Sequence, residues 1–173
     1  MNIQVRLSYT DHVSPEEMGP TTDARWLTPD ELETWRALNL LLAKLPAALG
    51  AQLHCDSDLS FVEYYVLAGL SDQPNHTLRM SNLAVLANSE LSRLSHLIRR
   101  LERRGFVRRE PDPTDGRFTH AILTGAGLAH LERAAPRHVE QVRRLVFDVL
   151  DLEQQHALRD AATVITSQLS GGC

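Results

Sequence analysis

Apolar residues recur at helical spacing along most of the chain, and this pattern predicts a mainly α-helical protein. Thr28 and Ser60 each precede a glutamate by three residues, at Glu31 and Glu63, which is the spacing of a capping box. Each pair is therefore expected to begin a helix. The first helix has a broad apolar surface and is expected to end at about Leu53.

Two further helices are predicted in the last third of the chain, after Thr124 and after Asp151, because both residue types suit an N-cap position. Apolar positions at helical spacing continue to Leu150 in the first of these helices and to Leu169 in the second. Pro136 falls within the first helix. It is expected to kink that helix or to divide it into two segments.

The middle of the chain predicts two short helices joined by a turn. Ser81 is the expected cap of the first, and Asn88-Ser89 interrupts the apolar pattern before the second, which runs from roughly Glu90 to Arg104. One face of this second helix is apolar, with Leu91, Leu94, Leu97, Ile98 and Leu101. The opposite face carries Ser92, His96, Arg99 and Arg103. This is the arrangement of a helix-turn-helix whose second helix enters a major groove.

A β-hairpin is predicted directly after these helices. Gly105 is suited to end the second helix, and the segment 106–110 has the composition of a strand. The next six residues are rich in turn formers, and a second strand is predicted from Arg117 to Leu123. Thr77-Leu78-Arg79-Met80 is a candidate third strand beside the hairpin. A guanidinium at the hairpin tip suits the narrow, electronegative minor groove of DNA.

The helix-turn-helix and hairpin together resemble the signature of MarR-family winged-helix regulators. The resemblance is carried by the run 100–107, by Asp112-Pro113, by Asp115 and Arg117, and by Leu123-Thr124. It implies a mainly α fold with a small β-wing, in which a winged helix-turn-helix DNA-binding unit is joined to N- and C-terminal dimerisation helices. It also implies that Arg117 enters the minor groove and that Asp115 braces the wing by pairing with Arg109.

The candidate DNA contacts lie on the second helix of the helix-turn-helix and on the wing. Base-edge contacts are expected from Ser92, Arg93, His96 and Arg99, which lie on the first turns of that helix. Arg100, Arg103, Arg104 and Arg108 are expected to contact phosphates or to form ion pairs within the fold. The full set of candidates is Ser89, Ser92, Arg93, Ser95, His96, Arg99, Arg100, Arg103, Arg109, Asp115 and Arg117. The alternative is a solvated basic helix face with no partner.

The charge distribution favours DNA binding although the net charge of −4 alone does not. Residues 89–118 contain eight arginines and five acidic residues, so a basic segment is attached to an acidic remainder. No apolar run approaches the roughly 20 residues of a membrane span, no signal peptide is recognisable, and two cysteines give no disulfide framework. These features predict a cytoplasmic protein that does not act on membranes.

No catalytic, cofactor or metal site is predicted from the sequence. The eight histidines are scattered, without a recognisable arrangement for nucleophilic catalysis or phosphate binding. The segment 54–58 contains a histidine, a cysteine and two aspartates, but no second cluster has the spacing of zinc ligands, so it is interpreted as a polar connection. The predicted protein is therefore not an enzyme.

A homodimer is predicted because the outer helices carry more apolar surface than a small winged helix can cover. The expected organisation is a flexible arm at residues 1–23, a first dimerisation helix and connection at 24–58, the DNA-binding region at 59–124, and C-terminal dimerisation helices at 125–173. Such a dimer would bind a pseudo-palindromic operator with half-sites about 10 base pairs apart. An intramolecular helix bundle is the alternative.

The resemblance also implies repression that is relieved by a small aromatic or phenolic ligand. Candidate residues for such a pocket are Trp35, His54, Tyr64, Tyr65 and Arg79, although aromatic residues at helical spacing also suit a core. Three other functions remain open: an architectural DNA-binding protein with little sequence preference, a redox regulator acting through Cys55, and a winged helix used for protein contact. The sequence does not decide whether translation starts at Met1 or at Met18.

Overall fold

A computed structural model describes residues 25–112 and 114–170; for Ser170 only the backbone is described. The predicted arm at 1–23 and the last three residues lie outside the described residues. The elements are α1 (Pro29–Ser57), α2 (Phe61–Ser71), β1 (Thr77–Arg79), α3 (Met80–Leu86), α4 (Leu91–Arg103), β2 (Val107–Pro111), β3 (Thr119–Leu123), α5 (Gly125–Leu145) and α6 (Leu152–Ser170). The predicted mainly α fold with a small β-wing is confirmed.

The predicted helix starts are confirmed where side-chain caps specify them. Glu63 Oε2 accepts a hydrogen bond from the backbone N–H of Ser60 at 2.9 Å, and Ser60 Oγ accepts one from the N–H of Glu63 at 3.2 Å. The equivalent pair at Thr28 and Glu31 is also formed. Thr124 caps α5 by accepting from the N–H of Gly127. A local sequence signal sufficed here because each cap lies within four residues.

Two helix ends differ from the prediction. α1 continues to Ser57, so the segment predicted as a connection forms the last turn of the helix. Asp58 ends it with a positive φ of 52°, a conformation that a short polar side chain tolerates. α5 ends at Leu145 and is not divided into two segments at Pro136, because buried residues on both sides of the proline hold the helix in place.

The start of α3 also corrects the sequence analysis. Arg79 occupies the N-cap position without a side-chain hydrogen bond, and Ser81 lies inside the first turn rather than capping it. The reason is that β1 passes directly into α3, since Arg79 is already paired with His120 of β3. The predicted third strand is thus confirmed, and the helix follows it without a loop.

The structure divides into two compact units, with the boundary after Pro46. In the unit that begins at Ala47, the sheet has the antiparallel order β1-β3-β2, with Arg109 opposite Ala121 in the wing hairpin. The core of this unit is formed by apolar residues of α2, α3, α4, β2, β3 and α5. Among the described residues, no helix is long and apolar enough to cross a membrane.

The base of the wing packs closely against the start of α5. A Cβ atom at Gly127 would lie 2.1 Å from the backbone oxygen of Phe106, so only glycine fits at this position. The same oxygen accepts a hydrogen bond from the backbone N–H of Thr124 at 3.0 Å. Gly105, which ends α4, has the expected positive φ of 72°. These contacts fix where the wing begins relative to α4 and α5.

Candidate nucleic-acid interface

α4 has one buried and one solvent-exposed face, as predicted. Its buried side chains are Leu94, Leu97, Ile98 and Leu101. Leu91, which the sequence assigned to the same apolar face, is 52% exposed, so that assignment was wrong. The reason is position: Leu91 is the first residue of α4 and lies beyond the edge of the core. The exposed polar side chains Ser92, Arg93, His96, Arg99 and Arg103 are called the basic face.

The arginines of this region divide into paired and unpaired groups. Arg100 Nε donates to Glu63 Oε1 at 3.2 Å, and Arg104 Nη1 donates to the backbone oxygen of Asp58 at 2.7 Å. Both residues therefore tie α4 to α2 and to the end of α1. In contrast, Arg93, Arg99 and Arg103 form no ion pair with any residue that the structure describes. Their guanidinium groups are available to a ligand.

Glu63 is the acceptor that joins α2 to α4. Burial raises the pKa of this carboxyl group, but hydrogen bonds from the Ser60 backbone and side chain and from Arg100 outweigh burial, and the net pKa is lowered. Glu63 is therefore ionised at neutral pH. It fixes the start of α2 and the orientation of α4 through one carboxylate.

The wing presents Arg117 in a defined conformation. Its side chain is 86% exposed, and its Nη2 atom donates to Asp115 Oδ2 at 2.7 Å while Nε donates to Oδ1 at 3.0 Å. These bonds from Arg117, together with its backbone N–H, lower the pKa of Asp115. A carboxylate that binds the guanidinium on two sides restricts the rotamers of an otherwise mobile side chain.

The pair that the family resemblance implied between Arg109 and Asp115 is not formed. Arg109 instead donates from Nη2 and Nε to Glu102 Oε2 on α4, at 2.7 and 3.1 Å. Because β2 packs along the end of α4, this glutamate is nearer to Arg109 than the wing tip is. The structure thus assigns Arg109 to the junction between α4 and the wing, and leaves Asp115 to Arg117.

Asp112 organises the wing, a role that the sequence analysis did not assign to it. It is only 5% exposed and accepts hydrogen bonds from the side chain and backbone N–H of Thr114, at 2.6 and 2.8 Å, and from the N–H of Asp115. Arg79 Nη2 lies 2.6 Å from its Oδ2. The bonds from Thr114 are the largest cause of a pKa held well below the usual range. The signal available in sequence was an aspartate two residues before a threonine, which favours an Asx turn.

The beginning of α4 and the wing line a cleft of about 430 Å³, and three arginines are among its lining residues. Its lining residues are Arg79, Met80, Ser81, Leu91, Ser95, Arg109, Arg117, Phe118 and Thr119. Phe118, predicted as a strand position, lies outside β3 and is 42% exposed, with the guanidinium of Arg79 4.7 Å from its ring centre. The lining of the cleft therefore combines apolar side chains with arginines that are each paired with a carboxylate. Ser89 lies just before α4 and is partly buried.

The candidate ligand residues occupy different places. Tyr64 is half-buried, with its ring centre 4.3 Å from that of His138 on α5, and burial raises the pKa of Tyr64 and lowers that of His138. Tyr65 is exposed and its ring stacks with that of Phe61. The Nδ1 atom of His54 lies 3.7 Å from Oδ1 of Asp58. Arg79 lies at the wing base. Trp35 is an exposed residue of the unit that ends at Pro46.

The protein-family model and the curated relatives that match this chain all describe transcriptional regulators. The model of the MarR family matches residues 59–119, from the start of α2 to the start of β3. The uncharacterised HTH-type transcriptional regulator YkoM of Bacillus subtilis is 30% identical over 137 residues, which cover 76% of this chain and 87% of YkoM. The transcriptional regulator HosA of Escherichia coli is 35% identical over 79 residues, covering 46% of this chain and 57% of HosA.

Two solved structures from Streptomyces coelicolor are similar over most of their length. Sco3205, a MarR family transcriptional regulator crystallised in complex with DNA, is 41% identical with a TM-score of 0.82, covering 86% of this chain and 93% of Sco3205. AbsC, another MarR family regulator, is 36% identical with a TM-score of 0.81, covering 86% of this chain and all of AbsC. The similarity thus extends beyond the segment that the family model matches.

Proposed function

Because this chain belongs to the MarR family of DNA-binding transcriptional regulators, we propose that it represses transcription by binding a pseudo-palindromic operator as a homodimer. The observation that carries the proposal is the basic face, on which Arg93, Arg99 and Arg103 lack ion-pair partners among the described residues while neighbouring arginines are held by carboxylates. The crystal structure of the similar regulator Sco3205 with DNA supports double-stranded DNA as the partner.

The proposed contacts follow from position. Ser92, Arg93 and His96 lie on the first two turns of α4 and Arg99 begins the third, in the part where a recognition helix reaches base edges. An arginine that binds guanine with two hydrogen bonds contributes about 1–3 kcal/mol of discrimination. Arg103 on the last turn is assigned to a phosphate. Arg117 is assigned to the minor groove beside the same half-site.

The dimer is proposed because an apolar face of α6 is exposed in the single chain. Its apolar residues Leu158, Ile165 and Leu169 are all exposed, and they lie on one face of the helix at spacings of seven and four residues. Most of the stability of a helix in a protein comes from packing of its apolar face, and this face is exposed here. A second copy of the chain that covers this face would supply the missing contacts and would place two α4 helices about one turn of DNA apart.

A small aromatic or phenolic ligand is the proposed input that releases the operator. The pair formed by half-buried Tyr64 and buried His138 supports this, because it combines aromatic surface with hydrogen-bonding groups where α2 meets α5. Such a ligand would act by favouring one arrangement of the dimer over another. Release of bound duplex by a panel of hydroxybenzoates tests this point, and a panel without effect contradicts it.

The proposal is tested by equilibrium binding to the DNA upstream of the protein's own gene and to a scrambled duplex, over a salt series. We expect preference for the native duplex, a steep loss of affinity with salt, and weaker binding by Arg99→Ala. Arg159→Ala on α6 is the matched control, since this arginine pairs with Asp160 away from α4. Equal weak binding to both duplexes would favour an architectural protein, and no binding at low salt would contradict DNA binding.

A further inference from the structure

Leu91 is an exposed apolar side chain beside the basic face of α4, in a cleft whose lining also includes Met80 and Phe118. It is 52% exposed, whereas the four other apolar residues of α4 are buried. It therefore contributes little to the core. The cleft that it lines also contains Ser95 one turn further along α4, and Arg109 and Arg117 from the wing. An exposed leucine in such surroundings suggests contact with an apolar group of the bound partner.

The position of Leu91 indicates which part of the DNA it meets. It is the first residue of α4, and the N-terminal residues of a recognition helix are those that contact base edges in the major groove. Base edges in that groove consist of hydrogen-bond donors and acceptors, with one apolar exception, the C5-methyl group of thymine. Leucine neither donates nor accepts hydrogen bonds, so the methyl group is the only feature of a base edge that it can distinguish.

We propose that Leu91 is a specificity-determining residue that recognises a thymine of each half-site through its C5-methyl group. The inference rests on the proposed function, and it assigns to α4 a contact of a different kind from those of its arginines. Arginine selects guanine by its acceptors, whereas Leu91 selects thymine over cytosine by apolar contact. The polar group nearest in sequence on this side of α4, Ser95, remains available for a hydrogen bond to an adjacent base.

The test uses the full chain and an operator obtained by selection from random duplexes. Each thymine of the half-site is replaced in turn by uracil, which removes the methyl group and preserves base pairing. For the wild type, uracil at one of these thymine positions is expected to raise the Kd on the order of fourfold, the factor that corresponds to burial of one methyl group. Leu91→Ala should preserve the helix, since alanine has a high helix propensity. For this variant, replacing the same thymine by uracil is expected to leave the Kd unchanged.

Val85→Ala is the matched control, because Val85 is an apolar residue with 82% exposure on α3, the helix before the turn. This variant is expected to retain the wild-type response to uracil. Circular dichroism checks that both variants keep their helical content.

The outcomes separate the inference from the proposed function. A selection that enriches no sequence contradicts both. An enriched operator at which no uracil weakens wild-type binding overturns the role of Leu91 and leaves the proposed function intact. An equal uracil penalty in the wild type and in Leu91→Ala also overturns it, since the methyl group would then act through another residue or through DNA shape.

Discussion

Arg117 shows how one carboxylate can prepare an exposed side chain for binding. A free arginine loses rotamer freedom when it enters a groove, and the bonds from its Nη2 and Nε to Asp115 remove part of that freedom beforehand. The pair contributes little to folding, because an ion pair this exposed is screened by water. Its role is therefore expected in binding rather than in stability.

Arg117→Ala is expected to weaken binding to the operator by roughly 10- to 100-fold, the range that corresponds to loss of a charge-assisted hydrogen bond. The thermal unfolding midpoint is expected to stay unchanged. Fluorescence anisotropy with labelled duplex measures the first quantity, and circular dichroism the second.

Asp115→Ala completes a double-mutant cycle with this change. If the carboxylate acts only by orienting Arg117, removing it should weaken binding in the wild type and have no further effect in the Arg117→Ala background. An additional loss in that background would mean that Asp115 has a separate role.

The sequence identified all the arginines of this region but could not divide them by role. Arg100, Arg104 and Arg109 differ from Arg93 and Arg99 only through partners that lie on other elements, such as Glu63, 37 residues before Arg100. Helical periodicity reports which way a residue faces and not what it meets there. The family pattern was equally unable to predict that Glu102 takes the place of Asp115 as the partner of Arg109.

At the scale of elements, the contact between wing and α5 depends on a glycine. The Cβ of an alanine at residue 127 would meet the carbonyl oxygen of Phe106 at 2.1 Å, and a backbone atom cannot move aside as a side-chain end can. Gly127→Ala is expected to lower the free energy of unfolding by about 1–3 kcal/mol, the usual cost of overpacking. Urea denaturation measures this change.

Gly125→Ala, in the same turn of α5, is the matched control, since a Cβ at that position meets nothing within 4 Å. It is expected to leave stability unchanged or to raise it slightly, because alanine favours a helix. Equal stability of the two variants would show that the close approach of Phe106 to α5 is not tight in solution.

The wing should also lose stability in acid through Asp112. Its pKa is lowered in the folded state, mainly by hydrogen bonds from Thr114, so the folded protein binds fewer protons than the unfolded chain. The resulting stabilisation is present above the unfolded pKa of about 3.9 and is lost as the pH falls through the lower folded value. The free energy of unfolding should therefore decrease steadily below about pH 4.

Asp112→Asn tests this assignment, because an amide of the same shape does not titrate. The variant is expected to be less stable than the wild type at neutral pH and to show a weaker dependence on pH in the acid range. Urea denaturation at several pH values compares the two proteins. If the free energy of unfolding of Asp112→Asn falls with acid pH as much as that of the wild type, the acid dependence arises from other carboxylates. Glu63, whose pKa is also lowered, is one candidate.

The elements that the sequence predicted best are those whose signals are local. Both capping boxes and the Thr124 cap lie within a few residues, and all three are formed. Where the sequence was wrong, distant partners decided the outcome: α5 is not divided at Pro136, which has buried residues on both sides, and α3 begins early because β1 is paired with β3. Burial of Leu91 was wrongly inferred from spacing, which cannot show where a core ends.

At the scale of the whole molecule, the exposed apolar face of α6 makes the oligomeric state testable. Ile165→Asp places a charge in the stripe formed with Leu158 and Leu169 and is expected to shift the protein from a dimer to a 19.4 kDa monomer. Sedimentation velocity measures the mass. Thr163→Asp adds the same charge on the opposite side of α6 and should leave the dimer intact.

Loss of the dimer should also reduce operator affinity, because one α4 helix alone contacts a single half-site. A protein that is monomeric before any substitution would contradict the dimer and favour a role for α6 against a different partner. A dimer that survives Ile165→Asp would place the interface on other helices.

On α4, the side chains that anchor the helix are different from those that face outward, and this separation affects how such proteins diversify. Glu63 and Asp58 hold the helix through Arg100 and Arg104, whereas Arg93, Arg99 and Leu91 face outward and take no part in that anchorage. Substitutions at the outward positions can therefore accumulate without loss of stability. Loss of stability is what ordinarily limits how many substitutions a protein tolerates. A duplicated copy of this gene could acquire a new operator by altering three or four side chains while inheriting the scaffold unchanged.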